Sequence, residues 1–240
     1  MPNPTAAMLV IGDEILSGRT RDANMYHLAG RLTEIGIDLC EVRIVSDHAP
    51  SIIAAVQALS VEYDHVFTSG GIGPTHDDIT ADCIAAAFGD TIDVRDDARA
   101  LLQAHYDRSG QDLNEARLRM ARIPARATLI DNPVSTAPGF SIRNVHVMAG
   151  VPMVFQAMVA SVLLTLTGGA PLLSRTLEVI RGEGDIAGPL GAFAADHPDL
   201  SVGSYPFQRN GVYGANLVIR GADQAAVEAA FARLQDLFAA

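Results

Sequence analysis

The sequence predicts an α/β protein: a domain with a mostly parallel sheet and helices on both faces, followed by a small α+β domain. Three observations predict it. Apolar runs and amphipathic stretches alternate three times between residues 5 and 89, the pattern of a parallel sheet covered by helices. The first run, "TAAMLVIG", is continuously apolar, as befits a strand buried on both faces. The Gly168-Gly169-Ala170-Pro171 segment then marks a boundary, giving domains at 1–169 and 170–240.

The elements follow in order. "TAAMLVIG" (5–12) is a strand stopped by glycine. "DANMYHLAGRLTEIG" carries Met25, Leu28, Ala29, Leu32 and Ile35 at helical spacing, with Gly36 as the stop. "IDLCEVRIVSD" alternates and is β-branched, hence a strand. "PSIIAAVQALS" opens on proline and is a helix. "DHVFTSGG" is a strand running into a glycine loop. "TADCIAAAFG" is a helix with Thr80 as N-cap and Gly89 as terminator. Two amphipathic helices are expected in "DDARALLQAHYDRSG" and "LNEARLRMARIP". "ATLIDNP" is a short strand, and "GFSIRNVHVMAG" a hairpin turning at Arg143-Asn144. "PMVFQAMVASVLLTLTGG" is a helix running to the double glycine. Beyond the boundary, "LLSRTLEVIRG" is a strand, "DIAGPLGAFAADHP" a helix, "DLSVGSYPF" and "GVYGANLVIRG" strands, and "ADQAAVEAAFARLQDLF" a helix.

The bulk chemistry narrows the function. The chain has 240 residues, is 49% hydrophobic and 19% charged, and carries a formal net charge of −11, so a packed core is expected and disorder is not. Such a charge repels nucleic acid and anionic membranes; neither is an expected partner. All 17 basic residues are arginine, which excludes a Schiff-base lysine and a P-loop lysine. Cys40 and Cys83 are far apart and form no CxxC pair; two buried thiols in a reducing compartment are expected. The start lacks a signal peptide's basic and apolar regions, and "MVASVLLTLTGG" falls short of the roughly 20 residues a bilayer needs. A cytoplasmic location is expected.

The segment "TSGGIGPTHDDIT" (68–80) concentrates the chemistry. It follows a strand and opens a helix, where open α/β sheets bind ligands. Gly70, Gly71 and Gly73 can turn tightly and aim N–H groups at an anion, and the following helix adds a positive dipole end. Asp77 and Asp78 beside that anion make sense with a divalent cation between them, or with one acting on a water. The bland alternative is a tight turn whose aspartates only favour the helix dipole, but one glycine and one aspartate would serve for that. The spacing is neither a P-loop nor GxGxxG. The first strand ends in "IGDEILSG" and the second in "VSDHA", bringing Glu14 and Asp47 to the same edge if the strands are parallel; each can equally be a helix cap. Asn24 either caps its helix or meets a ligand. His76 is an acid–base group, a metal ligand or a solvated loop residue. Arg117, Arg119 and Arg122 either reach phosphates or form a solvated helix face.

These motifs carry a resemblance. "TSGGIGPTHDDIT" resembles the motif of the molybdopterin-binding family that includes MoaB and MogA. With "IGDEILSGRTRDAN", "NPVSTAPGF" and "MAGVPMVFQAM", the chain is most similar to the N-terminal domain of CinA competence/damage-inducible proteins, over roughly residues 5–168. The same domain type precedes eukaryotic FAD synthases. The resemblance implies a three-layer α/β/α fold and a KH-like βαββα small domain. It implies a ligand site at Gly70, Gly71, Gly73, Thr75, Asp77 and Asp78, ringed by Glu14, Asn24, Asp47, Thr136, Ala137 and Gly139.

In molybdenum cofactor relatives the site binds the pterin and its phosphate, and the aspartates matching Asp78 and Asp47 matter for adenylylation. CinA-like relatives instead hydrolyse the pyrophosphate bond of ADP-ribose or similar nucleotides with a divalent cation. On the hydrolase reading, Asp77 and Asp78 hold Mg²⁺, Mn²⁺ or Co²⁺, and Asp78, Asp47 and Glu14 are the candidate catalytic residues, with Asp47 or Glu14 orienting a water. The alternative is a non-catalytic molybdopterin-binding module. A homo-oligomer is expected from the relatives. Three departures stand out. The chain stops before an amidase domain, so no deamidation is expected. "AGVP" (149–152) replaces the common "PGPP". "GPLG" (188–191) lacks the basic flanks of an RNA-binding KH loop.

Overall fold

The computed structural model describes residues 2–239. The chain divides after Gly169 into two units.

In the first unit, β1 (Thr5–Ile11) is the buried spine, its side chains from Ala6 onward sealed from solvent on both faces. A short helix α1 (Asp13–Leu16) follows, then α2 (Asn24–Glu34), β2 (Asp38–Val45), α3 (Ala49–Glu62), β3 (His65–Ser69) and α4 (Thr80–Phe88). Next come β4 (Ile92–Val94), α5 (Asp96–Ser109), α6 (Glu115–Leu118), a 3₁₀ turn (Arg119–Ala121) and β5 (Arg122–Pro124). The unit closes with β6 (Thr128–Ile130), β7 (Gly139–Ile142), β8 (Val145–Met148) and α7 (Pro152–Leu163).

The main sheet has the order β2-β1-β3-β8-β7-β6. Its first four strands are mutually parallel, and β7 and β6 extend it by antiparallel pairing. Strand periodicity sends alternate residues to opposite faces. Ala7, Leu9 and Ile11 pack with Ile52, Val56 and Leu59 of α3 and Ile84 of α4. Met8 and Val10 pack with Leu28 and Leu32 of α2 and Phe155 and Met158 of α7. The result is the three-layer α/β/α arrangement the sequence implied. Each large side chain sealed in these layers contributes about 1.5–3 kcal/mol.

Four local expectations are corrected. Residues 115–124 do not form one helix: a single turn, a 3₁₀ turn and β5 replace it, and β5 pairs with β4. Backbone pairing with β4 outweighs the helical spacing there. Thr80 does not cap α4, because its hydroxyl donates to the Gly70 carbonyl instead (3.0 Å). The helix after β8 ends at Leu163, short of the double glycine. Cys83 is buried but Cys40, on edge strand β2, is exposed.

The second unit runs β9 (Leu173–Val179), α8 (Glu183–Ala195), β10 (Ser201–Arg209), β11 (Val212–Gly221) and α9 (Gln224–Phe238). Its antiparallel sheet has the order β10-β11-β9. Ala215, Leu217 and Ile219, alternating along β11, meet Ile186 and Phe193 of α8 and Val227 and Leu234 of α9. The Gly188–Gly191 tetrapeptide lies inside α8 rather than in a loop. Among the described residues no helix is long and apolar enough to cross a membrane.

Candidate functional site

The carboxyl ends of β1, β2, β3 and β8 share one edge because those strands are parallel, and β6 joins them because β7 reverses the chain twice over. Segments leaving that edge enclose a cleft of about 510 Å³. Its wall is largely apolar, from Ile72, Met120, Val151, Val154 and Met158, and its polar groups come from the loops.

The glycine loop after β3 is shaped by its own packing. Gly71 has φ 69°, and a Cβ there would collide with the Thr80 hydroxyl. At Gly73 a Cβ would stand 2.6 Å from Asp78 Oδ2. The chain's own atoms therefore demand these glycines, whatever else the loop holds. What remains for a ligand is the exposed donor set. The N–H groups of Gly71, Ile72 and Gly73 have no acceptor among the described residues. The start of α4 has no side-chain cap; its Thr80 N–H donates instead to the Gly71 carbonyl (3.0 Å).

Asp78 is fixed from within the loop: its Oδ2 accepts from the Thr75 N–H (2.8 Å) and from the Thr75 hydroxyl. Thr75 thus positions Asp78 and does not line the cleft. Asp78 and Glu14 both do. Asp77 and His76 are exposed at the loop's tip, 3.8 Å apart. Asp47 Oδ2 accepts from the Asp13 N–H (2.9 Å), so it caps α1, not its own helix. Burial pushes the Asp47 carboxyl above its ordinary pKa. The Asp13 N–H opposes that shift, and the charges of Asp13, Glu14 and Asp77 add to it.

Asn24 is buried at the start of α2, and its amide nitrogen donates to Ser69 Oγ (2.7 Å) and the Gly150 carbonyl (2.8 Å). In the loop between β6 and β7, Ala137 lines the cleft. Thr136 turns away, its backbone at φ 67° and its hydroxyl 3.1 Å from His105 Nδ1. Gly139 lies beneath the surface, where a Cβ would strike the Val147 carbonyl.

The structure thus brings Glu14, Gly70, Gly71, Gly73, Asp78 and Ala137 to one cleft and sets Asn24 beside it. Asp47, Asp77, Thr75, Thr136 and Gly139 support or flank it. Of the arginines, Arg119 reaches the Asp78 carbonyl (3.4 Å) and Arg122 pairs with Asp82. Both border a notch beside Gly73. Arg117 instead binds the Asp112 carbonyl and covers Tyr106.

Sequence reasoning missed Asn132. Its amide nitrogen holds Ser135 and the Ala137 carbonyl, while its oxygen accepts from Val134 and Ser135 N–H groups. The signal was present: Asn-Pro at the head of a polar loop is an Asx-turn start. Among the described residues no group of three or more His, Cys, Asp and Glu side chains converges as a metal nest.

An α/β sheet with an anion-ready loop and two carboxylates in a cleft at its strand ends defines a small-molecule-binding protein of the open-sheet class. A family profile described as "Probable molybdopterin binding domain" matches residues 7–172, and one described as "FAD synthase, middle domain" matches residues 171–240. The chain belongs to the molybdopterin-binding domain family.

Among relatives, it is 33% identical over 259 aligned positions to a "Probable FAD synthase" of Caenorhabditis elegans, covering 98% of this chain and 50% of that one. It is 38% identical over 150 positions to a "CinA-like protein" of Geotalea uraniireducens, covering 61% of this chain and 36% of that one. The chain therefore spans half or less of the length of these curated relatives. A crystal structure of CinA from Thermoplasma acidophilum, described as of unknown function, superposes with a TM-score of 0.62 at 33% identity. That match covers 68% of this chain and 97% of CinA.

Proposed function

We propose that this protein is a metal-dependent pyrophosphatase that cleaves the phosphoanhydride bond of an ADP-ribose-like nucleotide. One observation carries the reading: unpaired loop N–H groups and two carboxylates, Asp78 and Glu14, border the same cleft. The N–H groups of Gly71, Ile72 and Gly73 hold the diphosphate, with the start of α4 behind them. Arg119 borders the same loop and brings positive charge beside it, while Arg122 is committed to Asp82. Glu14 orients the attacking water, and Asp47 positions Glu14 by capping α1.

The donor set fits a hard cation without a three-ligand nest, because Mg²⁺ is commonly held by one or two carboxylates plus substrate phosphates. Asp78, lining the cleft, and Asp77, exposed at the loop's tip beside it, would be those carboxylates. The cation, when bound, supplies charge neutralisation and a water of lowered pKa.

The test is AMP release from ADP-ribose, FAD and NAD with and without Mg²⁺, Mn²⁺ or Co²⁺. Metal-dependent AMP that falls at least a hundredfold in Asp78→Asn is expected. No AMP with any metal sinks the hydrolase reading. The family description then favours a molybdopterin-binding module without turnover, which should retain a pterin through purification.

A further inference from the structure

Strand β2 is an edge of the main sheet: it pairs with β1 and, among the described residues, with no strand on its other side. The Val45 carbonyl accepts from the Gly12 N–H on the β1 side. Successive residues of a strand turn their N–H and C=O groups to alternate sides. Arg43 and Glu41 therefore also turn theirs towards β1, while Val42 and Ile44 present theirs outward. The side chains alternate over the two faces of the sheet. Val42 and Ile44, beside Met8 and Val10, stand on the α2 face and are 39% and 43% exposed. Glu41 and Arg43, beside Ala7 and Leu9, stand on the α3 face. An edge with open backbone groups and two exposed β-branched side chains is ready to take a further strand.

The strand is also complementary to itself. Arg43 bonds Glu41 through Nε, and the Tyr63 hydroxyl donates to the other Glu41 oxygen (2.8 Å). Both Nη groups of Arg43 are left without an acceptor among the described residues. Consider a second β2 laid antiparallel, with Val42 opposite its own copy. Glu41 then faces the partner's Arg43, and Arg43 faces the partner's Glu41. Ile44 faces the partner's Cys40, which is exposed. Either neighbouring register sets like charges directly opposite, Arg43 against the partner's Arg43 or Glu41 against the partner's Glu41, which is unfavourable. Charges of one sign would serve to keep an edge unpaired. Opposite charges that match under a two-fold axis are what an isologous contact needs.

We infer that the outer edge of β2 is the surface through which two copies of this chain join, by antiparallel pairing centred on Val42. The N–H and C=O groups of Val42 bond those of the partner's Val42. Ile44 packs on the partner's Cys40 on the α2 face, and the free fork of Arg43 takes the partner's Glu41 on the α3 face. Because the two strands run in opposite directions, the two clefts open at opposite edges of one continuous sheet. The inference is independent of what the cleft binds.

The test is sedimentation velocity of the whole chain over a concentration series up to about 200 µM, where even a small interface is populated. The parent should sediment as a dimer. Arg43→Glu and Glu41→Arg, each checked for folding by circular dichroism, should each dimerise at least about tenfold more weakly, since each sets like charges opposite. An equimolar mixture of the two variants should recover the dimer. Neither variant regains the Glu41–Arg43 bond within its own strand, so recovery in the mixture reports the contact between chains and not local repair. Where a charge variant does not fold, Val42→Pro is the second variant: it removes an outward N–H without touching the ladder to β1, and it must weaken the dimer. A parent that does not dimerise, a dimer that the variants leave unchanged, or a mixture that stays monomeric overturns the interface.

Discussion

Gly71 and Gly18 have nearly the same backbone, φ 69° and φ 71°, yet their surroundings differ. A side chain at either position strains the left-handed conformation. At Gly18 nothing lies within 4 Å, whereas at Gly71 the new Cβ meets the Thr80 hydroxyl that ties the loop to Gly70. Gly18→Ala should therefore cost about 1 kcal/mol, and Gly71→Ala at least about 2 kcal/mol more, by strain and loss of that hydrogen bond. Urea midpoints of the two variants check this; equal losses would mean the loop yields around the methyl.

Asp47 separates positioning from chemistry in a different way. Its carboxyl is raised by burial, so ionisation costs stability once the pH exceeds the unfolded carboxylate value. Asp47→Asn keeps an acceptor for the Asp13 N–H and loses the charge. It should melt no lower than the parent at pH 7 and retain most AMP release. Asp47→Ala frees the N–H and should lose about 1 kcal/mol and at least tenfold in rate. If the Asn variant is as inactive as the Ala variant, Asp47 takes part in the chemistry directly.

At the scale of elements, legibility follows burial. β1 and α2 were readable because an unbroken apolar run and a helical stripe are imposed by two-sided and one-sided packing. β4 and β5 were not, since three-residue strands carry too few positions for a period, and β5 hides in the arginine-rich spacing of residues 117–122. In the site, the loops were legible as motifs, but the direction of each side chain was not. Thr136 and Gly139 belong to the right loop and turn away from or lie under the cleft.

A further pair hidden by sequence distance is His65 on β3 and His146 on β8, with ring centroids 5.7 Å apart. His146 bonds Ser141 Oγ through Nδ1 (2.9 Å) and is otherwise buried. Burial, with His65 adding to it, holds its pKa down at about 4. The unfolded chain binds this proton near pH 6.5, so stability is complete above that pH and is lost as the pH falls from about 6.5 towards 4. The loss amounts to about 3 kcal/mol. Melting temperature measured from pH 7.5 to 4.5 should fall for the parent and fall less for His146→Gln; parallel curves would show that His146 does not carry the effect.

The molecule as a whole joins two units with separate cores, one divided over the two faces of the main sheet and one between β9–β11 and the helices α8 and α9. Every residue of the cleft and of the notch at Arg119 lies before Gly169. The closing stretch of that unit is itself anchored: the Gly169 N–H donates to the carbonyls of Ile35 and Gly36 (both 3.1 Å), and Gly168 packs so closely on Ile35 that a Cβ would strike its carbonyl. A cut must therefore spare Gly169 while removing nothing the cleft needs. The chain ending at Ala170 should fold cooperatively, since its two core layers are intact. If catalysis belongs to the first unit alone, it should release AMP at a kcat within about threefold of the full chain, with the metal requirement unchanged. Circular dichroism melts and AMP release on the truncated chain decide this. A well-folded truncation with a kcat down a hundredfold would show that residues 171–240 act in turnover.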